Sequence, residues 1–284
     1  MTTSISSNIN RRTLLRAGVG AAAAVGAASL GWAQSSLGGA RLLVNEAVTA
    51  DLSISMLAMR YRSWADYIST NMRSKQMLVD PVIDIRRFLQ QAQSDDKPVL
   101  VFGKSVNQLA KLVRDHGYHP VVKRPDPYKA AFIVPKGSQI REVGQLSGRK
   151  VLMPDEFAAT SAMAKAELRR LNVRDPYISH TRFQDSVAAQ VSVGLAEAGV
   201  VNPTIARKWK ESGGTVIGET QPVVNWSLLA APKTSPEAVA KLADSMMAMS
   251  TQSGGSGILS EIGVKEWARG ERKEYLALLE YTGE

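Results

Sequence analysis

The sequence predicts an α/β fold with two lobes, each a mostly parallel sheet flanked by helices. Short apolar strands alternate with amphipathic helices after residue 40, which is the pattern of parallel strands joined by crossover helices. The 284 residues are enough for an export leader and two lobes of ordinary domain size. A stiff turn, Arg124-Pro125-Asp126-Pro127, divides this pattern.

Residues 1–33 have the features of an export signal. Asn10-Arg11-Arg12-Thr13-Leu14-Leu15-Arg16 is a twin-arginine pattern, and an uncharged run rich in Ala and Gly follows it as far as Ala33. This run is only weakly apolar and slightly short for a membrane span, and Gly31-Trp32-Ala33 offers small residues for cleavage. The sequence therefore predicts twin-arginine export, cleavage after Ala33 and a periplasmic location, with an uncleaved membrane anchor as the alternative.

The composition favours an anionic small molecule over a nucleic acid. Cleavage after residue 33 would leave 251 residues, and the loss of three leader arginines would lower the net charge from +9 to +6. This positive charge suits an anionic ligand, but no dense run of Lys, Arg and aromatic residues indicates nucleic-acid binding. The chain has no Cys, and its three His residues are too scattered for a convincing zinc site. We expect no metal site and no cofactor.

The first half of the chain predicts four strands, at residues 41–44, 77–79, 98–102 and 119–123. The helix after the first strand has the clearest apolar stripe, from residue 54 to residue 68. Pro81 is expected to open the second helix, and the third helix follows Gly103-Lys104-Ser105. That tripeptide resembles the end of a phosphate loop, but Pro98 replaces the first Gly of the motif, so we exclude a nucleotide site.

Polar residues follow two of these strands at the sheet edge where ligands bind. Asn45 and Glu46 follow the first strand, whereas Lys104 and Ser105 follow the third. Ligands of parallel sheets bind beyond the carboxyl ends of the strands. The four residues are therefore candidate ligand contacts. Lys104 faces either an anion or solvent, and the sequence leaves both possibilities open.

The second half predicts further strands at 128–134, 151–153, 177–181, 198–202, 215–217 and 225–231. The helix at 160–171 is expected to turn Ala164, Leu168 and Leu171 inward, and the helix that starts at residue 184 or 185 is expected to bury Leu195. Thr234 and Glu237 form a capping-box pattern with Pro236 in the first turn.

Two hydroxyl residues, Thr160 and Ser161, occur where one of these helices is predicted to begin. A helix N-terminus has unpaired backbone N–H groups and a partial positive charge. Together with the two hydroxyls, it can hold an oxyanion. The alternative is that one of the hydroxyls merely caps the helix.

The order of these features resembles the periplasmic phosphonate-binding proteins of ABC importers, which are two-lobed periplasmic binding proteins. The similar stretches are PYKAAFIVPKGSQI from Pro127, LSGRKV from Leu146, the hydroxyl-bearing loop, and FQDSVAAQVSVGLAEAGVVNP from Phe183. The resemblance implies two lobes of the type II binding fold joined by two crossing strands. Residues 34–127 and 228–284 would then form lobe 1, and residues 128–227 would form lobe 2.

The resemblance also implies a function and further site residues. It places Tyr128 near the cleft, and it matches Asp185 and Asn202 to positions that contact ligand in the family, although Asp185 is equally explained as a helix N-cap. The implied function is capture of a phosphonate, phosphite or phosphate for an ABC importer, without catalysis. The expected ligand contacts are Asn45, Glu46, Lys104, Ser105, Tyr128, Thr160, Ser161, Asp185 and Asn202.

The sequence departs from the family pattern at two places. The anion loop, Ala158-Ala159-Thr160-Ser161-Ala162, has one hydroxyl fewer than is usual and lacks the Gly, and Gly103-Lys104-Ser105 replaces the usual Gly-Pro and aromatic residue. A sulfonate or an unrelated small molecule is therefore also open as the ligand. The alternative functions are a ligand-sensing subunit of a membrane histidine kinase and an exported enzyme, although no catalytic motif is present.

Overall fold

The computed structural model describes residues 40–46 and 52–284, so the predicted leader lies outside the described residues. The strands are β1 Arg41–Asn45, β2 Leu78–Pro81, β3 Leu100–Gly103, β4 His119–Lys123, β5 Ala131–Val134, β6 Lys150–Met153, β7 Tyr177–His180, β8 Ala198–Val201, β9 Thr215–Glu219, β10 Ser227–Ala230 and β11 Ala268–Arg269. The helices are α1 Ile54–Met72, α2 Ile85–Gln93, α3 Val106–Asp115, α4 Ala159–Arg170, α5 Gln184–Ser192, α6 Pro203–Glu211, α7 Pro236–Ala248, α8 Gly255–Glu261 and α9 Arg272–Thr282.

The strands form two separate sheets with helices against them. One sheet has the strand order β11-β4-β10-β3-β1-β2, and the other has the order β7-β6-β8-β5-β9. Most strands of each sheet run in one direction, and β10, β11 and β5 run against their neighbours. This arrangement confirms the predicted α/β class. We call the six-stranded sheet with its helices lobe 1 and the five-stranded sheet with its helices lobe 2, and the predicted domain limits stay a prediction.

The chain passes between the sheets twice, from β4 to β5 and from β9 to β10. The crossing segments, residues 124–130 and 220–226, pair with each other where the Tyr128 amide donates to the Val223 carbonyl at 2.9 Å and the Val223 amide donates to the Tyr128 carbonyl at 3.0 Å. The first strand of lobe 2 therefore begins at Ala131 and not at Tyr128 as predicted. Residues 128–130 pair with the other crossing segment before the chain joins the sheet.

Helix α1 forms because its apolar residues recur at steps of three and four. Tyr61, Trp64 and Ile68 are completely buried, and the Trp64 ring lies 5.3 Å from the ring of Phe102 in β3 and 5.6 Å from the ring of Trp267. Ile54, which we predicted to be part of this stripe, is 57% exposed because it is the first residue of the helix. No helix in the described part of the chain is long and apolar enough to span a membrane.

Two predicted helix starts are wrong, and both lie at or next to a proline. Pro81 is the last residue of β2, and α2 begins only after Asp84, whose side chain accepts a hydrogen bond from the Arg87 amide at 2.8 Å. Helix α7 is capped by Ser235 and not by Thr234. Pro236 is the first residue of that helix, so the residue directly before it is the N-cap.

Two leucines that we predicted to face inward are exposed. Leu171 lies at the C-cap of α4 and is 37% exposed, and Leu195 lies beyond the end of α5 and is 65% exposed. Gly194, which has a φ of +77°, turns the chain between α5 and Leu195. The helical spacing therefore continues in the sequence past the point where the helix ends.

Gly199 of β8 allows α5 to pack closely on the sheet of lobe 2. A Cβ atom at this position would lie 2.6 Å from Val187 Cγ1 and 2.8 Å from Val191 Cγ2. Gly199→Ala is therefore expected to lower the free energy of unfolding by about 1–3 kcal/mol through overpacking. Thermal unfolding measures this, since 1 kcal/mol corresponds to about 2–4 °C in a chain of this size.

Gly257→Ala is the matched control. Gly257 lies in helix α8, and a Cβ atom there would meet no atom within 4 Å. The control is expected to leave the melting temperature unchanged or to raise it, because Ala is a better helix former than Gly by about 1 kcal/mol. An equal loss of stability in both variants would show that the contact at Gly199 is not responsible.

The lobes also contact each other through helices. Tyr281 of α9 donates to Glu167 Oε2 of α4 at 3.0 Å, and Arg169 of α4 donates to the Thr282 carbonyl at 2.6 Å. Next to this contact, Gln108 of α3 donates to the Phe157 carbonyl at 2.9 Å. The start of α4 is thus held near lobe 1, at one side of the space between the sheets.

Candidate functional site

A cavity of about 330 Å³ lies between the two lobes. Lobe 2 contributes the starts of α4, α5 and α6. The opposite side, which we call the lobe 1 wall, consists of the residues that follow β1 and β3, one side chain of α1, and the residues of the crossing segments next to lobe 1, namely Arg124, Asp126, Asn225 and Trp226. The predicted site residues that line the cavity are Glu46, Lys104, Ser105, Tyr128, Thr160, Asp185 and Asn202. The carboxyl ends of the parallel strands therefore place residues from distant parts of the chain around one cavity, as we expected.

The other two predicted residues, Asn45 and Ser161, are not among the described residues that line the cavity. The Asn45 amide donates to the carbonyl of Val82 at 2.7 Å and to that of Ile83 at 3.2 Å. The Ser161 hydroxyl donates to the Pro154 carbonyl at 3.0 Å. Both side chains are completely buried and hydrogen-bond to the backbone of their own lobe. The structure therefore does not bring these two side chains to the cavity.

The start of α4 forms the lobe 2 wall of the cavity. The N-cap residue is Ala158, which has no side-chain acceptor, so neither Thr160 nor Ser161 caps this helix. Within the described chain, the backbone N–H groups of Ala159 and Thr160 meet no acceptor. Residues 158–160 line the cavity. Two amides that have no acceptor among the described residues, at the positive end of a twelve-residue helix, therefore border the cavity.

A hydrogen-bond network connects the crossing segment to the helix starts of lobe 2. The hydroxyl oxygens of Tyr128 and Thr160 lie 2.6 Å apart, and the Gln184 amide donates to Thr160 Oγ1 at 3.2 Å. Gln184 also accepts a hydrogen bond from the Asn202 backbone N–H at 2.6 Å. Burial raises the pKa of Tyr128, against a smaller opposite effect of hydrogen bonds to Thr160 and Gln184. The phenol is therefore neutral at pH 7 and can donate a hydrogen bond.

Asp185 and Asn202 both line the cavity, but only Asn202 caps a helix. Asp185 lies in the first turn of α5, whose N-cap residue is Phe183, so the N-cap alternative for Asp185 is wrong. Asn202 is the N-cap of α6, and its Oδ1 accepts a hydrogen bond from the Ile205 amide at 2.9 Å. Asp185 therefore presents a carboxylate to the cavity without a capping role, whereas the Asn202 side-chain oxygen is already occupied.

Glu46 is the centre of a buried charge cluster in the lobe 1 wall. Its carboxylate accepts hydrogen bonds from Arg60 at 3.0 and 3.2 Å, from the Tyr61 hydroxyl at 2.7 Å and from Lys104 at 2.9 Å. The Lys104 ammonium also lies 3.8 Å from the centre of the Trp226 ring. The Lys104 side chain is only 8% exposed, so the solvated alternative is wrong. Lys104 is an internal cation with one carboxylate partner and one aromatic partner.

The cluster keeps its charges because its members compensate one another. Burial raises the pKa of Glu46, but Lys104, Tyr61 and Arg60 together hold it below the usual value. Burial also lowers the pKa of Lys104, and Glu46 opposes this effect. Arg60, Glu46 and Lys104 together carry one net positive charge, and this charge borders the cavity.

Among the lining residues that the sequence did not predict are Arg60, Arg124 and Trp226. Arg60 lies in α1, next to the apolar stripe that indicated core packing only. Arg124 donates to Asp126 at 3.1 and 2.8 Å, and its guanidinium lies 4.5 Å from the centre of the Trp226 ring. Arg124 and Trp226 are far apart in sequence, and only the pairing of the crossing segments brings them together. No described group of His, Cys, Asp and Glu is arranged to hold a metal ion.

Two lobes, two crossing segments and a cavity between them define a two-lobed solute-binding protein, and comparisons with known proteins agree. A family model described as the periplasmic substrate-binding protein of phosphonate ABC transporters matches residues 47–275. The chain therefore belongs to the family of periplasmic phosphonate-binding proteins of ABC transporters, as the sequence resemblance predicted. A search of curated protein sequences gave no match.

Solved structures of similar fold confirm the two-lobed periplasmic binding fold. PhnD1 from Prochlorococcus marinus, in complex with methylphosphonate, has a TM-score of 0.68 at 16% identity, over 85% of this chain and 96% of that chain. XAC2383 from Xanthomonas citri, bound to chloride, has a TM-score of 0.72 at 14% identity, over 86% and 97%. The binding protein PA3383 of a phosphonate transporter from Pseudomonas aeruginosa has a TM-score of 0.64 at 11% identity, over 86% of both chains.

Proposed function

We propose that this protein captures a small oxyanion of the phosphonate, phosphite or phosphate type between its lobes and delivers it to an ABC importer. The observation that carries the proposal is the start of α4. There the free amides of Ala159 and Thr160 and the hydroxyls of Thr160 and Tyr128 border the same cavity. Membership of the phosphonate-binding family and the methylphosphonate complex of a protein with the same fold support this choice of ligand.

The start of α4 suits a tetrahedral oxyanion for a physical reason. Backbone amides donate hydrogen bonds that are fixed in direction, neutral hydroxyls can turn to donate, and the helix end adds a partial positive charge. Each hydrogen bond to a charged group contributes about 1.5–3 kcal/mol. The net positive charge of the Glu46 cluster adds a favourable potential in the same cavity. Of the seven predicted residues that line the cavity, we propose Lys104, Ser105, Tyr128, Thr160 and the Asn202 side-chain amide as ligand contacts, whereas the carboxylates Glu46 and Asp185 border the ligand without donating a hydrogen bond to it.

We propose hinge closure as the mechanism of capture. The two crossing segments hydrogen-bond to each other from the Arg124–Trp226 contact to the Ala130–Thr220 contact and join the two sheets, so rotation about this region would change the distance between the lobes without disrupting either sheet. An oxyanion held by α4 would draw the lobe 1 wall, with Lys104 and Ser105, towards itself. The closed form would then be the one that a membrane permease recognises. We also propose export by the twin-arginine pathway, on the basis of the sequence pattern in residues 10–16.

Titration calorimetry of the purified protein tests the proposed ligand class. The panel is methylphosphonate, phosphite, phosphate, sulfate and methanesulfonate, with glycine and putrescine as a zwitterion and a cation. We expect at least one oxyanion to bind in the micromolar range or tighter, with neither glycine nor putrescine binding. Binding of only the amine or the amino acid would contradict the proposal.

A further inference from the structure

The lobe 1 wall of the cavity carries more hydrogen-bond donors than one tetrahedral anion on α4 can use. We propose that the ligand has a second acidic group, such as a carboxylate, which binds at Arg60, Lys104, Ser105 and Arg124, so that the substrate class is a small organic anion with two acidic ends. This inference rests on the proposed function, because it assumes that the first acidic group is held by α4.

The carboxylates of this wall are already occupied. Glu46 accepts hydrogen bonds from Arg60, Tyr61 and Lys104. Asp126 accepts from Arg124 through both of its oxygens, and the Asn225 amide lies 3.3 Å from one of them. An ammonium group of a ligand would therefore have to displace an existing partner. The wall contains three cations, Arg60, Lys104 and Arg124, and two carboxylates, Glu46 and Asp126, so its net charge is +1.

Several N–H and O–H groups of the same wall have no acceptor within the described chain. Arg60 uses only Nη1 for Glu46, and Arg124 uses Nε and Nη2 for Asp126, although a guanidinium has five N–H donors. The Ser105 hydroxyl lines the cavity, is 2% exposed and meets no partner among the described residues. Buried polar groups are normally satisfied, and here a ligand with acceptor oxygens would satisfy them.

The remaining polar groups of the cavity do not favour a cationic end instead. Asp185 is the one lining carboxylate that makes no hydrogen bond or ion pair with a described residue, and it is exposed. Lys208 lines the lobe 2 side as well, so these two residues together add no net charge. An aminoalkylphosphonate would thus meet no net negative charge on the lobe 2 side and a net positive charge on the lobe 1 wall.

The size of the cavity agrees with a ligand longer than phosphate. Its volume of about 330 Å³ lies within the range of about 300–1,000 Å³ that is typical of small-molecule pockets. A phosphate or phosphite has four or five heavy atoms and would fill less than half of this space. A chain of two or three carbons that joins two acidic groups uses the remaining volume and reaches from the lobe 2 wall towards the lobe 1 wall.

Calorimetric titration with three matched phosphonates tests the inference. Methylphosphonate has one acidic group, 2-aminoethylphosphonate adds an amine, and 3-phosphonopropionate adds a carboxylate. We expect 3-phosphonopropionate to bind at least about tenfold more tightly than either of the others. Arg60→Gln is expected to weaken 3-phosphonopropionate about tenfold and methylphosphonate less than about threefold.

Arg62→Gln is the matched control for Arg60→Gln. Arg62 lies on the same helix and is exposed, and it does not line the cavity, so its removal changes the net charge equally. We expect this control to bind all three phosphonates as the wild type does. Glu46 keeps Lys104 and Tyr61 as partners in Arg60→Gln, and Arg124→Gln provides a second variant with the same expected selectivity.

The outcomes separate the inference from the proposed function. If methylphosphonate binds but 3-phosphonopropionate binds no more tightly, the second acidic group is overturned and the proposed function stands. Tightest binding of 2-aminoethylphosphonate would also overturn the inference and would indicate Asp185 as the partner of the amine. If none of the three phosphonates binds, the inference is overturned, and the proposed function then rests on the inorganic oxyanions and sulfonates of the wider panel.

Discussion

Glu46→Leu is expected to lower the free energy of unfolding by about 3–5 kcal/mol, because it leaves Lys104 as a buried charge without its carboxylate partner. The side chains of both residues are less than one-tenth exposed, and their charged atoms lie 2.9 Å apart. Chemical denaturation with urea measures this loss directly. A change below about 1 kcal/mol would contradict the view that the cluster is a compensated unit.

Two controls determine whether the loss comes from the uncompensated charge. Glu219→Leu breaks an exposed ion pair with Lys129 and is expected to cost less than about 1 kcal/mol. The double variant Glu46→Leu with Lys104→Met removes both charges and is expected to recover part of the stability. No recovery in the double variant would show that packing, and not charge, explains the effect of Glu46→Leu.

The pH dependence of the unfolding free energy also tests whether the charge of Glu46 stabilises the cluster. The pKa of Glu46 is lowered in the folded state from its usual 4.5, so the carboxylate contributes its stability fully above pH 4.5 and loses it as the pH falls through the folded pKa. The difference in unfolding free energy between the wild type and Glu46→Leu should therefore be constant from pH 7 to about pH 5. It should then shrink as the solution becomes more acidic.

Thr160→Val is expected to weaken binding of the tightest oxyanion of the panel by about 10- to 100-fold. The variant keeps the shape of the side chain but removes a hydroxyl from the start of α4, and a hydrogen bond to a charged ligand contributes about 1.5–3 kcal/mol. It also breaks the contact with the Tyr128 hydroxyl at 2.6 Å. Titration calorimetry measures the dissociation constant.

Ser161→Ala is the matched control, because its hydroxyl is adjacent in sequence but donates to the Pro154 carbonyl. It is expected to lower stability by about 1 kcal/mol while the dissociation constant changes less than about threefold. Equal losses of affinity in the two variants would show that both hydroxyls contact the ligand. An unchanged affinity in Thr160→Val would remove this helix start from the site.

Much of the fold follows from local patterns in the sequence. The buried face of α1 and the strand β4 are found where the apolar spacing places them, and the residues after β1 and β3 reach the cavity because parallel strands end at one edge. The predicted ends of the helices were less accurate. The spacing that suggested burial of Leu171 and Leu195 continued beyond the last turn, where backbone conformation and not periodicity ends the helix.

The candidate site was harder to predict because its partners come from distant parts of the chain. Successive residues on a helix point about 100° apart, so Thr160 and Ser161 meet different surroundings, and the sequence does not show which of them lines the cavity. Arg60 belongs to a helix whose spacing predicts core packing, and only the folded chain places it beside Glu46. Arg124 and Trp226 meet only because the two crossing segments run next to each other.

A crystal structure of the protein with the tightest-binding oxyanion of the calorimetric panel tests the central claim most directly. The account predicts that the oxyanion lies between the lobes, with oxygen atoms within hydrogen-bond distance of the Ala159 and Thr160 amides and of the Thr160 hydroxyl. An oxyanion bound on the outer surface of either lobe, or in the cavity but away from the start of α4, would contradict it.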